Sequence, residues 1–145
     1  MSQYTDLAAE IFARGFNCAQ SVAAVFYDRY DADYDTAVRA AAGFGGGLGC
    51  GEVCGALSGA VMVVGQRYGP VEPEDAYGKE NCHNRTAELV ERFRERNGAV
   101  RCRELLGCHL STPEGRERYE AEKLRETVCV PLVMGAVAIL EELGY

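Results

Sequence analysis

The chain has 145 residues, 48% hydrophobic and 26% charged, a size and composition that support a packed core without covalent staples and exclude general disorder. Its formal net charge of −7, with no run of Lys or Arg against it, repels phosphate backbones and anionic lipid. Neither nucleic acid nor a membrane is an expected partner.

The opening stretch MSQYTDLAAEIF lacks the basic region and long apolar region of a secretory leader. The longest apolar runs, 56–65 and 128–140, are interrupted by Ser58 and Gly59 and by Pro131. Both fall short of the roughly 20 residues that a membrane-spanning helix needs. A cytoplasmic location is expected.

Leu7, Ala8, Ile11 and Phe12 recur with the helical period and predict a first helix, which Gly15 ends. Asn17 is a capping residue for a second helix to about residue 30, with Val22, Val25 and Phe26 on one face. Residues 31–34 predict a turn, and Asp35 a cap for a short third helix over 36–42. The run Gly43-Phe44-Gly45-Gly46-Gly47-Leu48-Gly49-Cys50-Gly51 predicts a tight loop, since each helical glycine costs about 1 kcal/mol relative to alanine. A buried helix follows over 52–66. Its Gly55 and Gly59 share a face, which lets another backbone approach closely.

The stretch Gly69-Pro70-Val71-Glu72-Pro73-Glu74 breaks the chain before a polar helix over 74–97, anchored by Leu89, Val90 and Phe93 and ended by Gly98. Residues 101–106 predict a short helix that Gly107 closes. Thr112-Pro113-Glu114 carries a cap and an N1 proline for another. Residues 127–143 predict an apolar core helix, with Pro131 tolerated in its first turn. No stretch alternates with the period of a strand. The reading is all-α: a single-domain helical bundle over residues 1–145 with a Gly-rich loop before a buried helix.

Seven cysteines are the unusual feature. An odd count without an export signal argues against a secreted disulfide framework and for metal binding or redox chemistry. The plain alternative is that they are small buried apolar residues. Cys18, Cys54, Cys102 and Cys129 each fall in or near a predicted first helical turn. Free N–H groups and the positive end of the helix dipole favour negative charge there and lower a thiol's pKa. Thiolate is both the nucleophile and the metal ligand. No CxxC pair occurs, so any site is assembled by tertiary packing.

Cys50 and Cys108 are secondary candidates, and Cys50 shares a face with Cys54 if the helix begins early. Cys82-His83 lacks the first thiol of a haem-attachment CxxCH, so no haem is expected. The glycine run lacks the GKS/T end of a phosphate loop and a preceding strand, so no nucleotide is expected. His83 reads as solvated, and His109 as a weaker ligand candidate beside Cys108. Glu52 is a base or a complement to a helix start. The tyrosines read as packing residues.

The segments Phe16-Asn17-Cys18-Ala19-Gln20-Ser21-Val22, Phe44-Gly45-Gly46-Gly47, Cys54-Gly55-Ala56-Leu57-Ser58-Gly59, Cys102-Arg103-Glu104-Leu105-Leu106-Gly107 and Cys129-Val130-Pro131-Leu132-Val133 cover nearly the whole chain. In this order they resemble the redox-active family named for its C_GCAxxG_C_C cysteine pattern. The resemblance implies a helical fold and makes Cys18, Cys54, Cys102 and Cys129 the signature set. That family in turn resembles the non-haem helical part of split-Soret cytochromes, which carry an iron–sulfur centre. It therefore implies an iron–sulfur cluster held by these cysteines, with Gly45, Gly46, Gly47 and Gly55 shaping its pocket. It also implies an electron donor or acceptor protein as partner and admits a homodimer. A metal-free thiol–disulfide protein, a structural zinc protein and a non-catalytic helical module remain open.

Overall fold

In the computed structural model, which describes residues 2–30 and 32–145, helices begin where side chains offer acceptors to free backbone N–H groups. The Ser2 hydroxyl accepts from the N–H groups of Tyr4 and Thr5 and opens α1 (Gln3–Ala13). Gly15, at φ 109°, ends it. Asn17 opens α2 (Cys18–Phe26). The Asn17 carboxamide oxygen accepts from the Gln20 N–H at 2.9 Å, and the Gln20 side chain accepts from the Asn17 N–H at 3.0 Å. Asp31, the first residue of the turn expected over 31–34, lies outside the described residues.

The cap of α3 (Tyr34–Ala41) is Asp33, which accepts from the Thr36 N–H, and not the expected Asp35. Asp35 falls inside the first turn, where its charge suits the helix dipole. Then come α4 (Gly55–Tyr68), α5 (Ala76–Asn97), α6 (Cys102–Leu106), α7 (Pro113–Ala121) and α8 (Val130–Glu142). Asp75 and Thr112 cap α5 and α7, while Gly98 and Gly107, both left-handed, terminate α5 and α6. These eight α-helices and no strand make the described residues all-α.

Helices α2, α4 and α8 pack on one another, with α1 against α2 and α8, and α5 against α4 and α8. Their burial follows their sequences. Seven residues of α2 and seven of α8 are buried, whereas polar α5 buries only Leu89 and Phe93. In α1 the inner face is Thr5, Ala8, Ile11 and Phe12, and Leu7 is displaced outward to 39% exposure. Thr5 takes the inward place because its hydroxyl donates to the Ser2 carbonyl and so carries no unmet bond inward. No helix among the described residues is long and apolar enough to cross a membrane.

Helices α4 and α8 each begin three residues later than the sequence predicts, and both shifts position cysteines. The helix expected from residue 52 starts at Gly55, because Val53 is extended and bridges Arg101 in antiparallel fashion. Across this bridge the Cys54 N–H donates to the Val100 carbonyl at 2.8 Å and the Cys102 N–H to the Glu52 carbonyl at 2.6 Å. The last helix is preceded by a wide π turn, Arg125–Cys129, closed by the Val130 N–H on the Arg125 carbonyl. Pro131 has no N–H to give and its ring crowds the carbonyl four residues back, so a regular ladder cannot run through this turn.

The close approach allowed by Gly55 and Gly59 occurs between α4 and α2. A Cβ on Gly59 would stand 2.6 Å from the Ala19 carbonyl oxygen. Asn17 ties the start of α2 to the next layer, since its amide nitrogen donates to the Ala42 carbonyl at 2.9 Å. Replacing Asn17 with alanine removes the cap and this tie together. The expected result is a loss of about 1–2 kcal/mol in denaturant unfolding. Asn17→Asp keeps the cap acceptor and should recover most of that loss.

Candidate functional site

Four segments distant in sequence bring one cysteine each to the same region. Cys18 is the first residue of α2, Cys54 the residue before α4, Cys102 the first of α6, and Cys129 the last of the π turn before α8. Cys18 lies within electrostatic reach of Cys129, Cys54 and Cys102, and Cys102 within reach of Cys54 and Cys129. Cys54, Cys102 and Cys129 are buried in the main core cluster and Cys18 packs half-buried against it. All seven cysteines are free thiols.

The glycine loop folds back over this region. Gly47 holds φ 62°, and a Cβ there would stand 2.9 Å from the Cys102 Cβ and 2.5 Å from the Glu52 backbone. A Cβ on Gly55 would stand 3.2 Å from the Cys18 Cβ and 3.0 Å from the Phe44 carbonyl oxygen. One on Gly45 would collide with the Asn17 side chain, next to Cys18. Gly46, also left-handed, has open space around it and serves the turn alone. Glycine at 45, 47 and 55 thus lets backbone pass against three cysteine-bearing segments.

Helix starts are expected to lower all four thiol pKa values, but only Cys129 is lowered, and not by a helix start. Burial pushes Cys54 up to about 11. The N–H groups of Ala56 and Leu57 face its sulfur without closing a cap hydrogen bond, pull the other way, and lose. Burial likewise pushes Cys102 up to about 12, with the nearby thiols adding to it. The reason is magnitude: a helix terminus contributes about 0.3–1 kcal/mol at an exposed site, whereas full burial moves a pKa by up to about 3–5 units.

Cys18 and Cys129 behave as a donor and acceptor pair. Hydrogen bonding to Cys129, then burial, holds Cys18 well above the ordinary thiol range. The same hydrogen bond lowers Cys129 against its own burial, helped by the Tyr119 hydroxyl and the Arg125 charge. The Tyr119 oxygen stands 3.9 Å from the Cys129 sulfur, at the long limit for a sulfur hydrogen bond. Burial, then the Cys129 charge, keeps the Tyr119 hydroxyl protonated above its usual range. Cys129 itself lies in continuous helical backbone rather than at a free helix start, so its anion is favoured by side chains and not by exposed N–H groups.

The other candidates separate from this group. Cys50 is exposed in the left-handed loop, hydrogen-bonded to the Gly47 carbonyl at 3.4 Å, and does not share a helix face with Cys54 because α4 starts later. Cys108 is within electrostatic reach of Cys102 and of Arg118. Cys82 packs half-buried against the core from α5. His83 is exposed. The His109 Nδ1 accepts from the Ser111 N–H at 3.3 Å and lies 2.7 Å from the Ser111 hydroxyl. Glu52 is no free base, because its carboxylate pairs with Arg103 at 2.5 Å and Arg101 at 3.4 Å. Among the described residues no three Cys, His, Asp or Glu side chains stand together in a metal-holding group.

Tyr119 and Arg125 are the site residues that sequence reasoning missed. Arg125 stands four residues before Cys129 at the other end of the same π turn, a spacing the sequence offered, whereas Tyr119 lies in α7, outside that element. Only the bend between α7 and the π turn brings Tyr119 back to the sulfur.

The pattern of the family described as "Putative redox-active protein (C_GCAxxG_C_C)" matches residues 16–143. No curated protein and no solved structure matches the chain. The match spans all four converging cysteines and the glycine loop against them, and the chain belongs to the C_GCAxxG_C_C family of redox-active proteins.

Proposed function

We propose that Cys18, Cys54, Cys102 and Cys129 hold an iron–sulfur cluster, with Gly45, Gly47 and Gly55 shaping its pocket, and that the protein transfers electrons to or from a partner protein. The observation that carries this reading is that four thiols converge where dithiol chemistry needs two. Two further features fit. The glycines at 47 and 55 keep methyl groups out of the space beside Cys102 and Cys18. Burial also holds Cys54 and Cys102 neutral, so a full set of thiolates here calls for a metal cation, such as the irons of a cluster, to replace the protons. A mononuclear ion draws its donors to one point, whereas a cluster spreads four cysteines over two or four irons.

A bound cluster supplies electron transfer at a potential set by burial, charge and hydrogen bonds to its sulfurs. This chain's contributions are a water-poor surround for Cys54 and Cys102, and the Tyr119 hydroxyl and Arg125 charge beside Cys129.

Anaerobically purified protein is expected to contain iron and acid-labile sulfide. Serine at any one of the four positions should remove most of both, while Cys50→Ser, Cys82→Ser and Cys108→Ser retain them. A colourless protein that takes up no iron in anaerobic reconstitution overturns the reading.

A second reading has one observation of its own, the donor and acceptor relation of Cys18 and Cys129. In it these two thiols form a disulfide, releasing two protons and passing two electrons to an acceptor disulfide, which is reduced to two thiols. Thiol counting at poised potentials would then find a reversible Cys18–Cys129 bond in iron-free protein.

A further inference from the structure

A surface pocket of about 350 Å³ is lined by Tyr119, Glu120, Lys123, Arg125 and Glu126. We propose that this pocket binds a small zwitterionic molecule and that Tyr119 is the gate between it and Cys129.

Three features of the wall carry the inference. First, Tyr119 belongs to both places. It lines the pocket, its hydroxyl lies 3.9 Å from the Cys129 sulfur, and Cys129 itself is 7% exposed and absent from the lining. A molecule in the pocket is therefore one side chain away from the sulfur.

Second, the wall is built in place. Lys123 holds φ 52°, one of two non-glycine residues with positive φ among those described, and turns the chain from α7 toward the π turn. A left-handed backbone at a residue with a side chain is strained and persists only where its surroundings require it. Arg125 is anchored on the other side. Its Nη2 donates to the Phe12 carbonyl at 2.6 Å and the Phe16 carbonyl at 3.3 Å, and its guanidinium lies 3.7 Å from the centre of the Phe12 ring.

Third, the charges select the occupant. Lys123 and Arg125 face Glu120 and Glu126 around one opening. A singly charged guest meets one attractive and one repulsive pair. A guest carrying both carboxylate and ammonium matches both, as amino acids and short peptides do. The size fits too, since small-molecule sites begin at roughly 300 Å³.

The inference rests on Cys129 being a member of the redox centre, and its test is kept independent of iron. Reduced, metal-free, full-length protein is labelled with iodoacetamide under argon, and the labelled cysteines are mapped by peptide mass. Tyr119→Ala is expected to speed labelling of Cys129 several-fold while Cys54 and Cys102 stay slow, and Tyr119→Phe to leave Cys129 slow. Alanyl-alanine should slow labelling of Cys129. Its N-acetyl and amide forms, with one charge each, should not, and Lys123→Gln should abolish the protection.

An unchanged Cys129 rate in Tyr119→Ala, or equal protection by all three dipeptide forms, overturns the proposal. Should Tyr119→Ala expose Cys54 and Cys102 through loss of fold, the surface variant Lys123→Gln decides: protection retained overturns the proposal, protection lost supports it. Iron binding without a gate effect removes the pocket alone, and a gate effect without iron removes the cluster alone.

Discussion

Gly59→Ala is expected to lower the stability of this protein by about 3 kcal/mol, the upper range for forcing a methyl into a packed interior. For a domain of this size that lowers the melting temperature by roughly 10 °C. The added Cβ would stand 2.6 Å from the Ala19 carbonyl oxygen, 3.1 Å from the Ala19 Cα and 3.1 Å from the Val22 Cβ. Two of these are backbone atoms of α2, so no side-chain rotation relieves the clash and α2 must move away from α4. Alanine's better helix propensity returns only about 1 kcal/mol.

Gly65 in the same helix provides the control. A Cβ there meets nothing within 4 Å, so Gly65→Ala should stabilise by about 0.5–1 kcal/mol. Differential scanning calorimetry of the two variants reads both signs, and a Gly59→Ala protein as stable as Gly65→Ala would refute the close helix contact. The site follows the fold here. Cys18 starts α2 and Cys54 precedes α4, so spreading the helices also spreads the thiols, and metal retention should fall with stability.

The local features were legible because local chemistry decides them. Asn17, Thr112 and Pro113 mark helix starts by satisfying or lacking specific backbone N–H groups, and Gly15, Gly98 and Gly107 mark ends by taking positive φ. The cysteine segments stood out for the same reason, and Cys18, Cys54 and Cys102 do sit at helix starts. What the sequence hid depends on pairings between distant segments. The bridge of Val53 with Arg101 delays α4 and removes Cys50 from its face, and nothing near Val53 announces Arg101 as its partner. The Glu52 carboxylate is held by Arg101 and Arg103 across the same join. The thiol pKa values were misjudged because position on a helix is readable from sequence and depth of burial is not. Pro131 does sit in the first turn of α8, as its sequence position predicts, but nothing local announces the π turn that precedes it and carries Cys129 at its end.

Alkaline pH is expected to destabilise the reduced, metal-free protein, and the buried thiols fix the sign. An unfolded cysteine titrates near pH 8.5–9, while Cys54 in the folded chain titrates at about 11 and Cys102 at about 12. Above pH 9 the unfolded chain gives up these protons and the folded chain keeps them. The unfolded state then binds fewer protons, so unfolding free energy falls as pH rises. The contribution is fully present below pH 9 and lost through the window up to about 11 for Cys54 and about 12 for Cys102.

Each raised thiol contributes on the order of a few kcal/mol at most, and the two do not add in full because the Cys54 charge is itself part of what raises Cys102. Cys18, also raised, acts in the same direction, and Cys129, lowered, acts in the opposite one. Urea unfolding between pH 8 and 10.5 under argon, with a phosphine reductant, measures the slope. Tyr145, pushed up to about 12 by burial, adds to it in every variant, so the diagnostic quantity is the difference between proteins. Cys54→Ala and Cys102→Ala should each flatten the slope, and Cys50→Ser should not. A slope unchanged in both alanine variants would mean that the thiols reach water freely. Iron-loaded protein provides the complementary result: once metal has displaced the thiol protons, these groups have none left to withhold, and their part of the slope should vanish.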